Sequence, residues 1–363
     1  MERISKHQLV AMIILFEIGS AALFEIGISA KQDAWLVMLI GMIPGFLLFM
    51  LFLAIQRREP DKDLIQMLIQ YFGSFFGRLI AFFYVCNFMY ESMRNVRDFG
   101  DLTLMTFLSK TPISIVMLVM MLLASYVLFK GVEVFFRVAE FMLLGVLFFY
   151  LLLIILYFSS GIVHIDRLFP ILENGIMPVL KGAFPDPILF PFGQLVLFLM
   201  YWNYLNDKDD IIRSSIRAYV FVGIFLTILS ILNIAILGVP YVSVSNLPLL
   251  ASVRLIQIAD FLERFDAFVV LLLYVGIFIK VTLWYLAAVL GLGKLLNMNY
   301  RKLILPVGGI IYGTSHLPPS WTYHIWLGKF LGLKYLQAPF FIVFIPTLLF
   351  LVMLIKRKPD QAK

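Results

Sequence analysis

Apolar runs of roughly 20 residues alternate along this chain with short connections rich in Lys, Arg, Asp, Glu, Gly and Pro. Roughly 20 mainly apolar residues is the length that crosses a hydrocarbon layer as a helix. Ten candidate runs fall at about 8–28, 35–55, 78–107, 112–129, 136–158, 183–205, 214–237, 265–293, 303–316 and 338–355. The ninth is short and carries Pro306, Gly308 and Gly309. Backbone groups in lipid must bond within their own segment, so these runs are predicted as helices. The longest connections are 159–182, 238–262, 56–77 and 317–337. In the second of these, Ser245 and Asn246 precede Leu249, Leu250, Leu255 and Ile256, which predicts a short surface helix over 245–260. No connection has room for a catalytic domain, so function is expected within the bundle or on its surface.

Composition strengthens this picture. The 363 residues are 62% hydrophobic and 14% charged, with 36 Phe. Soluble domains run nearer 45–50% apolar and about 25% charged. The apolar run after Met1–His7 has no small-residue cleavage site before Lys31, so it reads as the first span and not as a signal peptide. A single cysteine, Cys86, excludes an intrachain disulfide and a cysteine metal cluster.

Net charge is +7, spread along the span edges, a pattern that sets orientation and gives no sign of nucleic-acid binding. With the N-terminus inside, cytoplasmic segments hold 18 Lys and Arg, including Arg57, Arg58, Lys208, Lys302, Arg357, Lys358 and Lys363. External segments hold 8, including Lys31, Lys181 and Arg264. The bias predicts both termini in the cytoplasm, which requires an even number of spans.

Two spans carry helix-weakening residues at matching places. In span one, Gly19 and Ser20 follow Phe16 and Glu17 and precede Ala21 at mid-depth. In span six, Pro185, Pro187 and Pro191 crowd one stretch, followed by Phe192, Gly193 and Gln194. Proline removes a ladder donor and clashes with the preceding turn. Irregular backbone at membrane depth is tolerated where it is buried in protein or lines a cavity. The two interruptions are five spans apart, so spans 1–5 and 6–10 run in opposite senses. The predicted fold is therefore an all-α integral membrane protein of about ten helices in two inverted five-helix repeats, about 8–158 and 183–355, with helices 1 and 6 interrupted. This is the LeuT-like transporter plan. Kinks serving packing alone would leave the same pattern.

Charge inside the spans marks further candidates. Span three carries Glu91, Arg94, Arg97, Asp98 and Asp101. Glu91–Arg94 is i,i+3, while Arg94–Asp98 and Arg97–Asp101 are i,i+4, so partners share a helix face. Charge at that depth should face the interior or water. The ladder reads as self-neutralised structure toward its outer end, and as structure or ligand site at Tyr90, Glu91 and Arg94. Span eight holds Lys280 near its centre, followed by Thr282. A deep ammonium needs a counter-charge, with Glu91 the first choice and Glu17 the second. Thr282 faces either a ligand or the carbonyl four residues back. The candidate ligand-binding set is thus Gly19, Ser20, Ala21, Tyr90, Glu91, Arg94, Pro191, Phe192, Gly193, Gln194, Lys280 and Thr282. His7, His164, His316 and His324 lie at span edges and form no metal-ligand pair on one face. No nucleophile-elbow, phosphate-loop, zinc-protease or dinucleotide pattern is present, so neither an enzyme nor a cofactor is expected.

Several stretches together resemble the B subunit of bacterial spore germinant receptors. They are Ile4–Leu9 leading into Phe16–Leu23; Lys130–Glu140; Phe169–Gly182; and Phe278–Val281 before Ala287–Leu296. That family belongs to the amino acid–polyamine–organocation transporter superfamily. The resemblance implies the same inverted-repeat fold, the spore inner membrane, and assembly with an A subunit and a lipoprotein C subunit. It also implies recognition of a nutrient germinant, often an amino acid. Some proton-coupled relatives in that superfamily carry a lysine in span five. Here Phe141–Phe158 has no basic residue, which puts that form of coupling in doubt. Three readings follow: a germinant-sensing subunit, an amino-acid or polyamine transporter on the same fold, and a scaffold subunit without a ligand.

Overall fold

The computed structural model describes residues 2–256, 266–335 and 337–356. Arg264, Arg357, Lys358 and Lys363, counted above, lie outside the described residues, as do 257–260 of the expected surface helix and residue 265 of span eight. The helices in chain order are α1 (Lys6–Ala21), α2 (Ala34–Arg58), α3 (Leu64–Phe72), α4 (Ser74–Thr106), α5 (Ile113–Lys130), α6 (Val132–Ser159), α7 (Met177–Ala183) and α8 (Asp186–Leu189). They continue with α9 (Asp210–Leu237), α10 (Val239–Val244), α11 (Pro248–Val253), α12 (Asp266–Leu296), α13 (Ile304–Thr314), α14 (Trp321–Leu327) and α15 (Ile345–Ile355). Six segments are long and apolar enough to cross a membrane by length and composition: Ile28–Arg58, Ile113–Lys130, Val132–Ser159, Met177–Met200, Asp210–Leu237 and Asp266–Leu296. The chain is an all-α integral membrane protein, and no strand occurs among its described residues.

Local chemistry sets several boundaries. α1 opens with a capping box, in which Ser5 Oγ accepts from Gln8 N and Gln8 Oε1 accepts from Ser5 N. Asp63 and Gln66 do the same for α3. Gly131, at φ 101°, lets the chain turn sharply between α5 and α6. The Glu2 carboxylate then accepts the Val132 N–H at 2.8 Å and caps α6. Beside it, Ile4 pairs with the segment after span six: Ile4 N donates to Tyr204 O at 2.9 Å, and Asn206 N donates to Ile4 O at 3.0 Å.

α1 is buried almost all round, as a helix apolar on every face must be. It packs against α6, α9 and α12, while α12 also lies along α4. On α6 the pattern is opposite. Phe141, Leu144, Phe148, Leu151 and Ile155 project outward, each more than half exposed, and form the lipid-facing stripe expected of a peripheral span.

Two connections hold helices of their own, and the expected break in span one needs correction. The connection 56–77 contains α3, an amphipathic helix too short to register as a span; its Leu64, Ile65, Met67, Leu68 and Tyr71 are buried at helical spacing. The connection 317–337 is largely helical, as α14 and then wider π-type turns over Gly328–Tyr335. Within it His324 is buried against Asp98 at 2.9 Å. In span one, the helix does not yield at Gly19 and Ser20. It runs through them to Ala21, is irregular over 22–27, and resumes as a 3-10 turn at Ile28–Asp33. The small residues serve a helix crossing: a Cβ on Gly276 would lie 2.6 Å from Gly19 Cα.

Span six is interrupted as expected, and over a longer stretch. α8 has only four residues, then Phe192–Met200 winds as a 3-10 helix followed by Trp202–Tyr204. The prolines account for the start. Every side chain of Phe192–Met200 is buried, so packing against the surrounding helices fixes the rest.

Candidate functional site

The interrupted segment of span six, α1, α4 and α12 meet at Lys280. This side chain is completely buried. Its Nζ donates to Gln194 Oε1 at 2.6 Å and to Ser20 Oγ at 3.1 Å. The same nitrogen lies 4.6 Å from the Phe190 ring centroid and 5.2 Å from that of Phe16. An ammonium has three protons. Two meet oxygen, and the aromatic faces receive the remaining positive charge.

No carboxylate touches Lys280. Glu91, the expected partner, is one side chain removed: Gln194 Nε2 donates to Glu91 Oε2 at 3.4 Å while its Oε1 accepts from Lys280. Glu91 Oε1 accepts from Gln337 Nε2 at 2.7 Å, and Gln337 also reaches Asn87 Oδ1 at 2.7 Å. Glu17, the second choice, is completely buried with neither carboxylate oxygen hydrogen-bonded. Both carboxylates act on Lys280 at longer range. The direct ion pair expected from depth alone is replaced by an amide relay.

The remaining candidates divide. Gly19 lies against the Lys280 stem, a Cβ there meeting its Cδ at 3.2 Å. Ser92 Oγ donates to Val281 O at 3.0 Å and ties α4 to α12 beside the lysine. Thr282 is completely buried, and its hydroxyl has no hydrogen-bond partner; the Tyr90 hydroxyl and Arg94 Nε are also unpartnered. Arg94 lies toward Gly328, and Glu91 is within its electrostatic reach. Phe192 turns to Tyr219 at 5.0 Å, away from the lysine. Pro191 starts the 3-10 segment, and Gly193 is packed so that a Cβ would meet Ile188 O at 2.6 Å. Ala21 lines a separate small cavity with Glu25.

Farther along α4, Arg97 Nε pairs with Asp101 at 2.6 Å as the i,i+4 spacing predicts. Asp98 bonds to His324 and not to Arg94. Among the described residues no cluster of His, Cys, Asp or Glu suits a metal ion.

Sequence reasoning missed Phe16, Phe190, Asn87 and Gln337. Phe16 precedes Ser20 by four residues and so shares its helix face. Phe190 adjoins Pro191. Gln337 is a polar residue at the edge of an apolar run, which was the available signal.

Lys280, on α12, thus lies where the interrupted sixth span meets α1, inside a membrane protein whose fold is LeuT-like. The fold matches that of Mhp1, a nucleobase-cation-symport-1 family transporter solved in a closed conformation with bromovinylhydantoin bound. The TM-score is 0.63 at 11% identity, covering 90% of this chain and 75% of that one. The chain belongs to the spore germination protein family of spore permeases, whose profile matches residues 3–324. It is 34% identical to spore germination protein KB of Bacillus subtilis (strain 168), over 98% of this chain and 96% of that protein. Spore germination protein A2 of the same organism is 22% identical, over 90% of this chain and 87% of the relative.

Proposed function

We propose that this protein is the nutrient-recognition subunit of a spore germination receptor, and that its germinant is an amino acid. The observation that carries this reading is the Lys280 ammonium, fully buried at the interrupted span, held by Gln194 and Ser20 and touching no carboxylate. Such a cation is suited to a ligand carboxylate. Gln194 and Ser20 supply neutral groups on it and Glu91 an acidic one at longer range, while Thr282, two residues further along the same helix, offers a buried hydroxyl without a protein partner. Ligand binding would bias the bundle between two arrangements, provided the two bind unequally. An A subunit and a lipoprotein C subunit are the proposed partners, in the spore inner membrane.

Thr282→Val tests the ligand site with little structural cost, because the lost hydroxyl has no protein partner. One hydrogen bond is worth about 0.5–1.5 kcal/mol, so the concentration of amino acid needed for half-maximal germination should rise about two- to tenfold. Membrane abundance should be unchanged. An unaltered dose–response curve would remove Thr282 from the site.

A second reading, amino-acid transport, is favoured by the fold it shares with Mhp1. Saturable, gradient-driven uptake in proteoliposomes would establish it; its absence together with germinant binding supports the sensor.

Orientation with both termini in the cytoplasm rests on the Lys and Arg bias. Lys6–Asp210 at 3.3 Å, Lys208–Asp61 at 3.7 Å and Arg301–Glu2 at 3.7 Å gather the basic connections at the N-terminal end. In a Cys86→Ala background, cysteines at Arg58 and Lys208 should label from the cytoplasm. Those at Lys31 and Lys181 should label from outside. All four on one side would overturn the arrangement.

A further inference from the structure

Glu25 occupies the irregular stretch between α1 and the 3-10 turn at Ile28–Asp33. Its carboxylate takes hydrogen bonds from two side chains of α9: Ser230 Oγ on Oε1, and Asn233 Nδ2 on Oε2 at 2.8 Å. Both partners donate, so the arrangement suits an ionised carboxylate. No cationic side chain among the described residues pairs with it. Arg167, from the 3-10 turn Ile165–Leu168, reaches the end of α9 but donates to the carbonyls of Ala235 and Ile236.

Two further features point to what completes the charge. A cavity of about 20 Å³ adjoins the carboxylate, lined by Ala21, Ala22, Glu25, Ser230 and Asn233 among others. This is room for one water-sized species. Asn233 is 5% exposed, and its Oδ1, an acceptor, has no hydrogen-bond partner. The C-terminal end of α1 also faces the cavity and adds the partial negative charge of its last carbonyls. Carboxylate, amide and hydroxyl oxygens are the donors that hard cations take. One carboxylate among neutral oxygens is too little charge for a site dedicated to Ca²⁺, which is built with several.

We propose that Glu25, Ser230 and Asn233 form a binding site for a single small monovalent cation at the interruption of span one. The site is separate from Lys280 and does not depend on the germinant assignment. Occupancy would tie the irregular residues 22–27 to α9 and steady the interrupted helix.

The test uses the purified full-length protein and radioactive sodium. Saturable binding approaching one Na⁺ per chain is expected, with choline as the inert replacement salt. Glu25→Gln should abolish it, and Glu25→Asp should retain it at lower affinity. Ser230→Ala, which keeps the charge, should weaken binding at least tenfold and covers the case in which Glu25→Gln does not fold. In a melting experiment at constant ionic strength, NaCl should stabilise the wild type relative to choline chloride, and Glu25→Gln should lose that difference. Absence of saturable sodium binding to folded wild type would overturn the proposal, as would binding unchanged in folded Glu25→Gln or in Ser230→Ala.

Discussion

Lys280→Met is expected to reduce the folded protein in the membrane sharply, and adding Glu17→Gln should restore it in part. Removing the ammonium leaves Glu17 completely buried, with no hydrogen-bond partner and with its one opposing charge gone. A buried carboxylate stripped of its one opposing cation costs at most about 3–5 kcal/mol, less what uptake of a proton recovers, and more than losing both groups together. Glu91 is less exposed to the change, since Arg94 and Gln337 also act on it. Glu91→Gln should therefore rescue less than Glu17→Gln. Germination should separate from abundance: if Lys280 contacts the germinant, the rescued double variant is stable and still unresponsive. Membrane abundance and germination dose–response of both singles and both doubles decide the matter. Normal abundance and normal response in Lys280→Met would refute both the structural and the ligand role.

An equally large loss is expected for Gly276→Val, for a different reason. Any Cβ at Gly276 would sit 2.6 Å from Gly19 Cα, and any Cβ at Gly19 would sit 2.9 Å from Gly276 O. Both obstructing atoms are backbone, so no rotamer change relieves them. Overpacking in a filled core costs about 1–3 kcal/mol, and two rigid helices place this case at the upper end. Since 1.4 kcal/mol is about tenfold, the ratio of folded to unfolded protein should fall by about 100-fold. Gly276→Ala should show an intermediate effect. The melting temperature of the detergent-solubilised protein is the measurement. A wild-type melt for Gly276→Val would mean that α1 and α12 do not cross as described.

These residues show what the sequence could and could not convey. The apolar runs were legible because lipid leaves the backbone few alternatives. The proline-rich interruption of span six was legible because proline acts locally, within its own turn. Depth was legible too: Lys280, Glu17 and Glu91 are all interior. Their angular positions around their helices were not, so a direct Lys280–Glu91 contact was expected where Gln194 intervenes. Gly19 and Ser20 were misread for a related reason. A small residue that weakens a helix and one that admits a neighbouring helix look identical until Gly276 is placed opposite. Glu25 escaped notice because it lies near the end of its run, and Ser230 and Asn233, which give it meaning, are about 200 residues away.

The pairing of Ile4 with Tyr204 and Asn206 has a mechanical consequence. It joins the leading end of the first span to the trailing end of the sixth, so the two interrupted elements are tethered at one face of the membrane. Glu2, two residues earlier, fastens the same strip to the head of α6. Any swing of α1 at this face must either drag span six and α6 with it or first unzip the strip. The opposite end of α1, where the irregular residues 22–27 begin, is held by side chains and not by backbone pairing, with Glu25 accepting from Ser230 and Asn233, so its attachment can change by a rotamer while the strip at the first face stays closed.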